Sequence, residues 1–214
     1  MSKPPEVSLR HAGTKDVALI AEILGDAFAG DPVVTWISPD PEYLRWCWPH
    51  ALRFILPHRE VYVTGCGQGA AMWVPPGKQL IMRPSLTVLG DACRRFGLGS
   101  VIRFFRMMRT LEKHRPKEEH YYLYIIGVCH KSRRQGIGSA LLEHVLEKCD
   151  RQKMGAYLES SKSLNLPFYQ RHGFEVRGKI ALPGGGPPFW LMYREPRNTR
   201  EGPVRCAPAT EAAE

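Results

Sequence analysis

The 214-residue sequence predicts an α/β fold: a mixed central sheet of about six to seven strands flanked by helices, in one domain over residues 1–195, with a helical insertion over 78–119 before the central strand. Three observations predict it. With 43% hydrophobic residues the chain can bury a substantial core, and its length reads most economically as one domain with an insertion. Apolar positions recur at two spacings along it, every second residue in some stretches and every third or fourth in others. In the second half a strand, a glycine loop, a helix and a strand follow in succession, an order that implies a parallel pair with a right-handed crossover.

Taken in order, "VSLR" at Val7 to Arg10 alternates as a short strand does. "TKDVALIAEILGDAF" then predicts a helix capped by Thr14, with Val17, Ile20, Ala21, Leu24 and Phe28 on one face and Asp31-Pro32 ending it. A second helix is expected around Tyr43 to Leu56. "EVYVTG" and "GAAMWVPPG" read as a hairpin closing at Pro75, which brings Trp73 to a strand end. From Lys78 to Lys117 the spacing of Val101, Phe104, Phe105, Met108 and Leu111 is helical, interrupted at Gly97 and Gly99. "HYYLYIIGV" follows as a buried strand, "IGSALLEHVLEKCD" as a helix, "GAYLES" as a strand and "LNLPFYQRHG" as a short helix. "FEVRGKIAL" and "PFWLMYR" make two last strands around the loop "PGGGPP". Residues 196–214, almost without apolar content, are expected to be a disordered tail.

A formal charge of +9 suits an acidic partner, but the excess is regional: ten Lys/Arg face four Asp/Glu between Lys78 and Glu119. A solvated helical face accounts for that excess better than a dedicated anion-binding surface. Six cysteines without a Cys-x-x-Cys pair, and an N-terminus "MSKPPEVSLR" without an apolar stretch, point to a reduced, cytoplasmic protein. Cys47, His50, His58 and Cys66 fit no standard zinc spacing, so no metal is expected. No apolar run approaches the ~20 residues that span a bilayer, and neither an aromatic-basic RNA motif nor a helix-turn-helix is present, so no membrane or nucleic-acid partner is expected. A monomer or homodimer remains open.

"SRRQGIGSALL", Ser132 to Leu142, is the most informative stretch. A dinucleotide fingerprint needs a third glycine where Leu141 stands, and a Walker loop needs Gly-Lys-Ser/Thr. What remains is a loop, Arg133, Arg134, Gln135, Gly136, Ile137, Gly138 and Ser139, whose backbone N–H groups point into a helix N-terminus and suit a pyrophosphate. Glycine at 136 and 138 would let the phosphate approach the backbone.

Arg133, Gly136 and Gly138, following a strand that ends in Gly127-Val128, resemble the acetyl-coenzyme A loop of the GCN5-related N-acetyltransferase (GNAT) superfamily. Asn165, Tyr169, Gly173 and Phe174 continue the resemblance downstream, and "HRPKE" at 114–118 and "PPFWLMYRE" resemble the puromycin N-acetyltransferase branch. The chain departs from that branch at His130, where a proline is usual, and at Arg134, where a glycine is.

The resemblance implies direct acetyl transfer from acetyl-CoA, the cosubstrate, to a neutral primary amine. Ile126, Gly127 and Val128 would align the pantetheine arm like an added strand, with a backbone N–H near Val128 on the thioester carbonyl and Asn165 on the other side. Tyr169 would protonate the leaving thiolate and Glu159 would take the amine proton, with His120 and Tyr124 as weaker candidates for the base. Phe28, Trp36, Trp73 and Tyr124 would wall the acceptor pocket, and Asp31 would meet a cationic amine. The acceptor is expected to be a small antibiotic- or aminonucleoside-like amine. Alternatives are a protein or peptide acetyltransferase, or a catalytically silent acyl-CoA-binding or basic regulatory module.

Overall fold

In the computed structural model, which describes residues 7–56, 60–78 and 84–197, seven strands form one sheet in the order β1-β2-β3-β4-β5-β7-β6. The strands are β1 (Leu9–His11), β2 (Val61–Thr64), β3 (Gly69–Val74), β4 (His120–Val128), β5 (Gly155–Ser160), β6 (Glu175–Ala181) and β7 (Pro188–Arg194). Only β4 and β5 run parallel, joined by the crossover that the strand-loop-helix-strand order predicts. The helices are α1 (Val17–Ala27), α2 (Pro32–Ile37), α3 (Glu42–Ile55), α4 (Leu86–His114), α5 (Ile137–Gln152) and α6 (Leu166–Arg171). Among the described residues no helix is long and apolar enough to cross a membrane. The expected tail lies mostly outside the described residues, as does His58.

Two local expectations are corrected. The entry to the first helix is capped not by Thr14 but by the turn Gly13–Asp16, where the Asp16 carboxylate accepts from the Gly13 N–H at 2.8 Å and pairs with Arg10 at 2.7 Å. Asp31-Pro32 does not merely end that helix. It starts α2: Asp31 is the N-cap, its carboxylate accepting from Val33 and Val34, and Pro32 takes the first helical position, where its missing N–H costs nothing.

The register of β4 decides where a ligand can enter. Met72 pairs with Ile125 and Trp73 with Leu123, so Tyr124 is an extra residue in a β-bulge. The bulge reverses the alternation of side chains. Before it, Tyr121 and Leu123 face the α5 core; after it, Ile126 and Val128 face that core, and Tyr124 and Ile125 pack on the α1–α3 side. On the other edge, β4 pairs with β5 only from His120 to Leu123. Beyond Leu123 the two parallel strands separate, leaving one edge of Tyr124 to Val128 without a strand partner.

Above this cleft, α2 and α4 form a roof. Val33 and Ile37 of α2 cluster with Leu111 of α4 and with Leu182 and Phe189 beside the β6–β7 loop. The Arg103 guanidinium donates to the Ile37 carbonyl at 2.8 and 3.1 Å, tying α4 to the end of α2.

Candidate active site

A cavity of about 270 Å³ lies under the roof and reaches the separated strands. Its lining brings together Phe28, Asp31, Tyr124, Ile126, Glu159, Asn165 and Tyr169, residues drawn from both halves of the chain. Trp36 and Trp73 do not line it. Trp73 is wholly buried on the α5 face with Leu123, Leu141 and Phe174, because the register that places Met72 toward α1 turns its neighbour the other way. Trp36 packs against the β6–β7 loop, where a Cβ added to Gly186 would lie 2.8 Å from its ring.

Asp31 reaches the cavity wall but is already fully engaged. At 2% exposure it caps α2, accepts from the Ser161 hydroxyl at 3.1 Å and pairs with Lys162 at 3.2 Å. It therefore fixes α2 to the loop after β5 and has no free charge for a cationic amine.

Glu159 is in the opposite condition. Its Oε1 is shut off from solvent and makes no hydrogen bond, and the buried Tyr157 hydroxyl and Arg115 Nε are likewise unpaired. Buried polar groups are nearly always satisfied; the Trp48 and Trp73 indole N–H groups are unpaired too, but Glu159, Tyr157 and Arg115 differ in acting on one another, which makes them a candidate site. Burial pushes the Glu159 carboxyl up to about 7, opposed by the Tyr122 phenol, the Arg115 charge and the Tyr157 phenol. Arg115 lies 4.1 Å above the Tyr122 ring. Tyr122, Tyr157 and Arg115 were missed in the sequence. The signal was there only in part, since Tyr157 and Glu159 stand two apart on one strand and so share a face.

His120 sits at the far end of β4, opposite Gly155, and its Nδ1 bonds the Glu118 carbonyl at 2.6 Å. It is not in the cavity lining, and burial lowers its pKa. Tyr169 projects from α6 at 8% exposure, its phenol raised by burial and so held protonated.

The glycine loop meets α5 at its exposed N-terminus. Gly136 is the N-cap with φ +81°, a left-handed conformation that a side chain strains. Arg134 also has positive φ, +62°, a left-handed conformation that glycine adopts more readily than arginine. Gly138 has a packing reason as well, since a Cβ there would come within 3.3 Å of Phe168. Arg133 donates to the Ala27 carbonyl at 3.0 Å and Gln135 to Lys131, so these two side chains brace the loop. Ile137 points into the core, leaving only its backbone to the loop. Lys131, Arg133 and Arg134 are exposed around the helix N-terminus, a basic rim that complements its dipole for an anion.

A parallel pair that parts at a bulge, a basic helix N-terminus beyond it, and a partly buried acid with a buried tyrosine in the adjoining cavity suit an N-acetyltransferase that draws on acetyl-CoA. Residues 90–176 match the model of the acetyltransferase (GNAT) domain. It is 25% identical to an uncharacterised N-acetyltransferase of Schizosaccharomyces pombe, over 94% of this chain and 89% of that protein. Among solved structures, "histone acetyltransferase HPA2 and related acetyltransferase" of Corynebacterium glutamicum is similar with a TM-score of 0.66 and 24% identity, covering 91% of this chain and 99% of that one. The polyamine N-acetyltransferase of Drosophila melanogaster is similar at 0.64 and 12%, covering 89% and 100%. Arylalkylamine N-acetyltransferase 2 of Aedes aegypti is similar at 0.65 and 13%, covering 90% and 100%.

Proposed function

We propose that the protein transfers the acetyl group of acetyl-CoA directly to the primary amine of a small molecule. The observation that carries this reading is the roofed cavity: its apolar walls enclose Glu159 and Tyr169 under α2 and α4, where a protein substrate would need an open groove. The residues present fit the donor. Backbone N–H groups of the loop from Arg133 to Ser139 would hold its pyrophosphate at the α5 N-terminus, with Arg134 adding charge. The free edge of β4 at Ile126, Gly127 and Val128 would pair with the amides of the pantetheine arm, and exposed Asn165 would flank it.

Glu159 then accepts the proton that the amine nitrogen loses as it bonds to the thioester carbon, and Tyr169 supplies a proton to the departing sulfur. A carboxyl near 7 is half ionised at neutral pH, the range in which a general base is most effective. Tyr124, on the bulge beside Glu159, and Phe28 form the walls nearest the reacting amine. Within the family, "HRPKE" and "PPFWLMYRE" support a place near the puromycin N-acetyltransferase branch, and the absence of a spanning helix among the described residues suits a cytoplasmic enzyme. The test is thiol release from acetyl-CoA across a panel of puromycin, alkylamines, polyamines, aminoglycosides and lysine peptides. Release with small amines supports the proposal; release with lysine peptides alone, or none together with no rise in melting temperature on adding acetyl-CoA, overturns it.

A further inference from the structure

The cavity does not stop at the reaction end. Its lining continues between α3 and the first half of α4 through Trp46, His50, Val88, Leu89, Ala92 and Phe96. This distal arm is closed by aromatic packing: Trp46 meets Phe96 edge-on at 5.3 Å between ring centroids, and its indole N–H donates to Asp91 at 2.8 Å, so its ring is fixed across the α3–α4 seam.

Charge is what distinguishes this arm. Among the described residues lining the whole cavity the only carboxylates are Asp31 and Glu159. Asp31 is consumed by the α2 cap and Lys162, and Glu159 lies at the reaction end. Asp91, the acid nearest the distal arm, is bound by Trp46, Arg94 and Arg95 and is not in the lining. His50, the only basic side chain among the described lining residues, is shifted by burial toward its neutral form. A second cation carried deep into this cavity would meet no counter-charge, which is costly in an apolar site.

We infer that the acceptor is an amine with a single cationic centre and an extended apolar body, whose tail occupies the α3–α4 arm while the amine lies at Glu159. The inference rests on the acetyl transfer proposed above and names its substrate class. Ala92 lines the arm at 8% exposure, and its small side chain leaves room that a larger one would fill. Polyamines and aminoglycosides are excluded by charge, although similarly folded proteins include a polyamine N-acetyltransferase.

The test is steady-state thiol release from acetyl-CoA with n-alkylamines from propyl to decyl, with phenethylamine, and with spermidine, each at one pH. Burying one methylene is worth about fourfold, so kcat/KM is expected to rise about fourfold per added carbon until the arm is full. Ala92→Trp should then cut the ratio of octylamine to propylamine kcat/KM at least tenfold. Val88→Trp, on the first turn of α4, serves as the second variant if Ala92→Trp melts early. A length series that is flat, a preference for spermidine, or a length preference that appears only when acetyl-CoA is replaced by longer acyl-CoAs overturns the inference and leaves acetyl transfer standing. No release with any amine, together with no melting shift on adding acetyl-CoA, overturns the transfer reading and this inference with it.

Discussion

Glu159→Gln separates a base from a structural carboxylate by two measurements that must move together. The carboxyl is raised from 4.5 to about 7, chiefly by burial. At about 1.4 kcal/mol per pH unit, a shift of this size is worth about 3 kcal/mol. The sign follows from which state ionises first. The unfolded chain loses the Glu159 proton near 4.5 and the folded chain only near 7, so this group's contribution to stability is fully present below 4.5 and is lost as pH rises to 7. At pH 8 the wild type carries the whole cost of a buried carboxylate. Glu159→Gln, which cannot ionise, should therefore be more stable at pH 8 by up to about 3 kcal/mol, roughly 6 to 12 °C in Tm for a chain of this size. At pH 4.5 the difference should vanish. In activity the order reverses: with one amine and saturating acetyl-CoA, the wild-type to variant ratio of kcat/KM should rise about tenfold per pH unit up to about 7 and then level. Because the same amine is used for both, its own ionisation cancels from the ratio. On the plateau the variant should be 10²–10⁴-fold slower, the ordinary worth of a positioned base. A pH-independent ratio, or melting curves of the two proteins that stay parallel from pH 5 to 8, would refute the role.

Four further substitutions probe the remaining parts. Tyr169→Phe should lower kcat by about 10²-fold or more while leaving the KM for acetyl-CoA unchanged, and equal losses in both would assign the phenol to binding instead. Arg115→Met removes the charge that opposes the rise of the Glu159 pKa, so the ascending limb of the pH profile should move to higher pH; an unmoved limb would detach Arg115 from the site. Asp31→Ala deletes the α2 cap and the Lys162 pair and should cost about 1–2 kcal/mol in denaturant unfolding. Its KM for amines should stay within threefold, whereas a tenfold rise without loss of stability would restore Asp31 as a cation partner. Gly127→Ala would place a Cβ 2.8 Å from Leu24 and 2.9 Å from Ala27, and overpacking of that kind should cost about 1–3 kcal/mol, read as a lower Tm.

What could be read from the sequence followed from short-range regularity. The apolar run in "EVYVTG", bounded by glycine, and the three-to-four spacing of Val17, Ile20, Ala21, Leu24 and Phe28 located β2 and α1 to within a few residues, because β2 is buried along its whole length and α1 buries the face its spacing marks. The interruption at Gly97 is likewise real: its φ of +80° kinks α4 in mid-course. α2 escaped because the six residues Pro32–Ile37 carry too few apolar repeats to define a face, and Asp-Pro reads as readily as a stop as a start. The bulge at Tyr124 escaped for a stronger reason. Nothing in "HYYLYIIGV" marks an unpaired residue; the displacement exists only in the register against β3, which the strand's own sequence does not encode. Trp73 was lost the same way, since which face of β3 looks at the cleft depends on that pairing.

Asp31 and Glu159 show how far residue type alone can carry a functional argument. Each is an acid at the wall of one cavity, and each stood in the sequence as a plausible contact for the amine. Asp31 sits where a helix begins, and its oxygens are drawn to two backbone N–H groups, a hydroxyl and Lys162, so its charge is spent on architecture. Glu159 sits near the end of a strand whose parallel partner has just diverged, and the groups acting on its carboxyl are chiefly the Tyr122 and Tyr157 phenols and the Arg115 charge. The same divergence that frees the β4 edge for a ligand thus leaves a carboxylate oxygen without a partner a short distance away. Pairing β4 with β5 one residue further would satisfy backbone groups and close the space beside Glu159. The bulge at Tyr124 works against that pairing, and so holds apart the place where a thioester can lie and keeps open the base that would act on it.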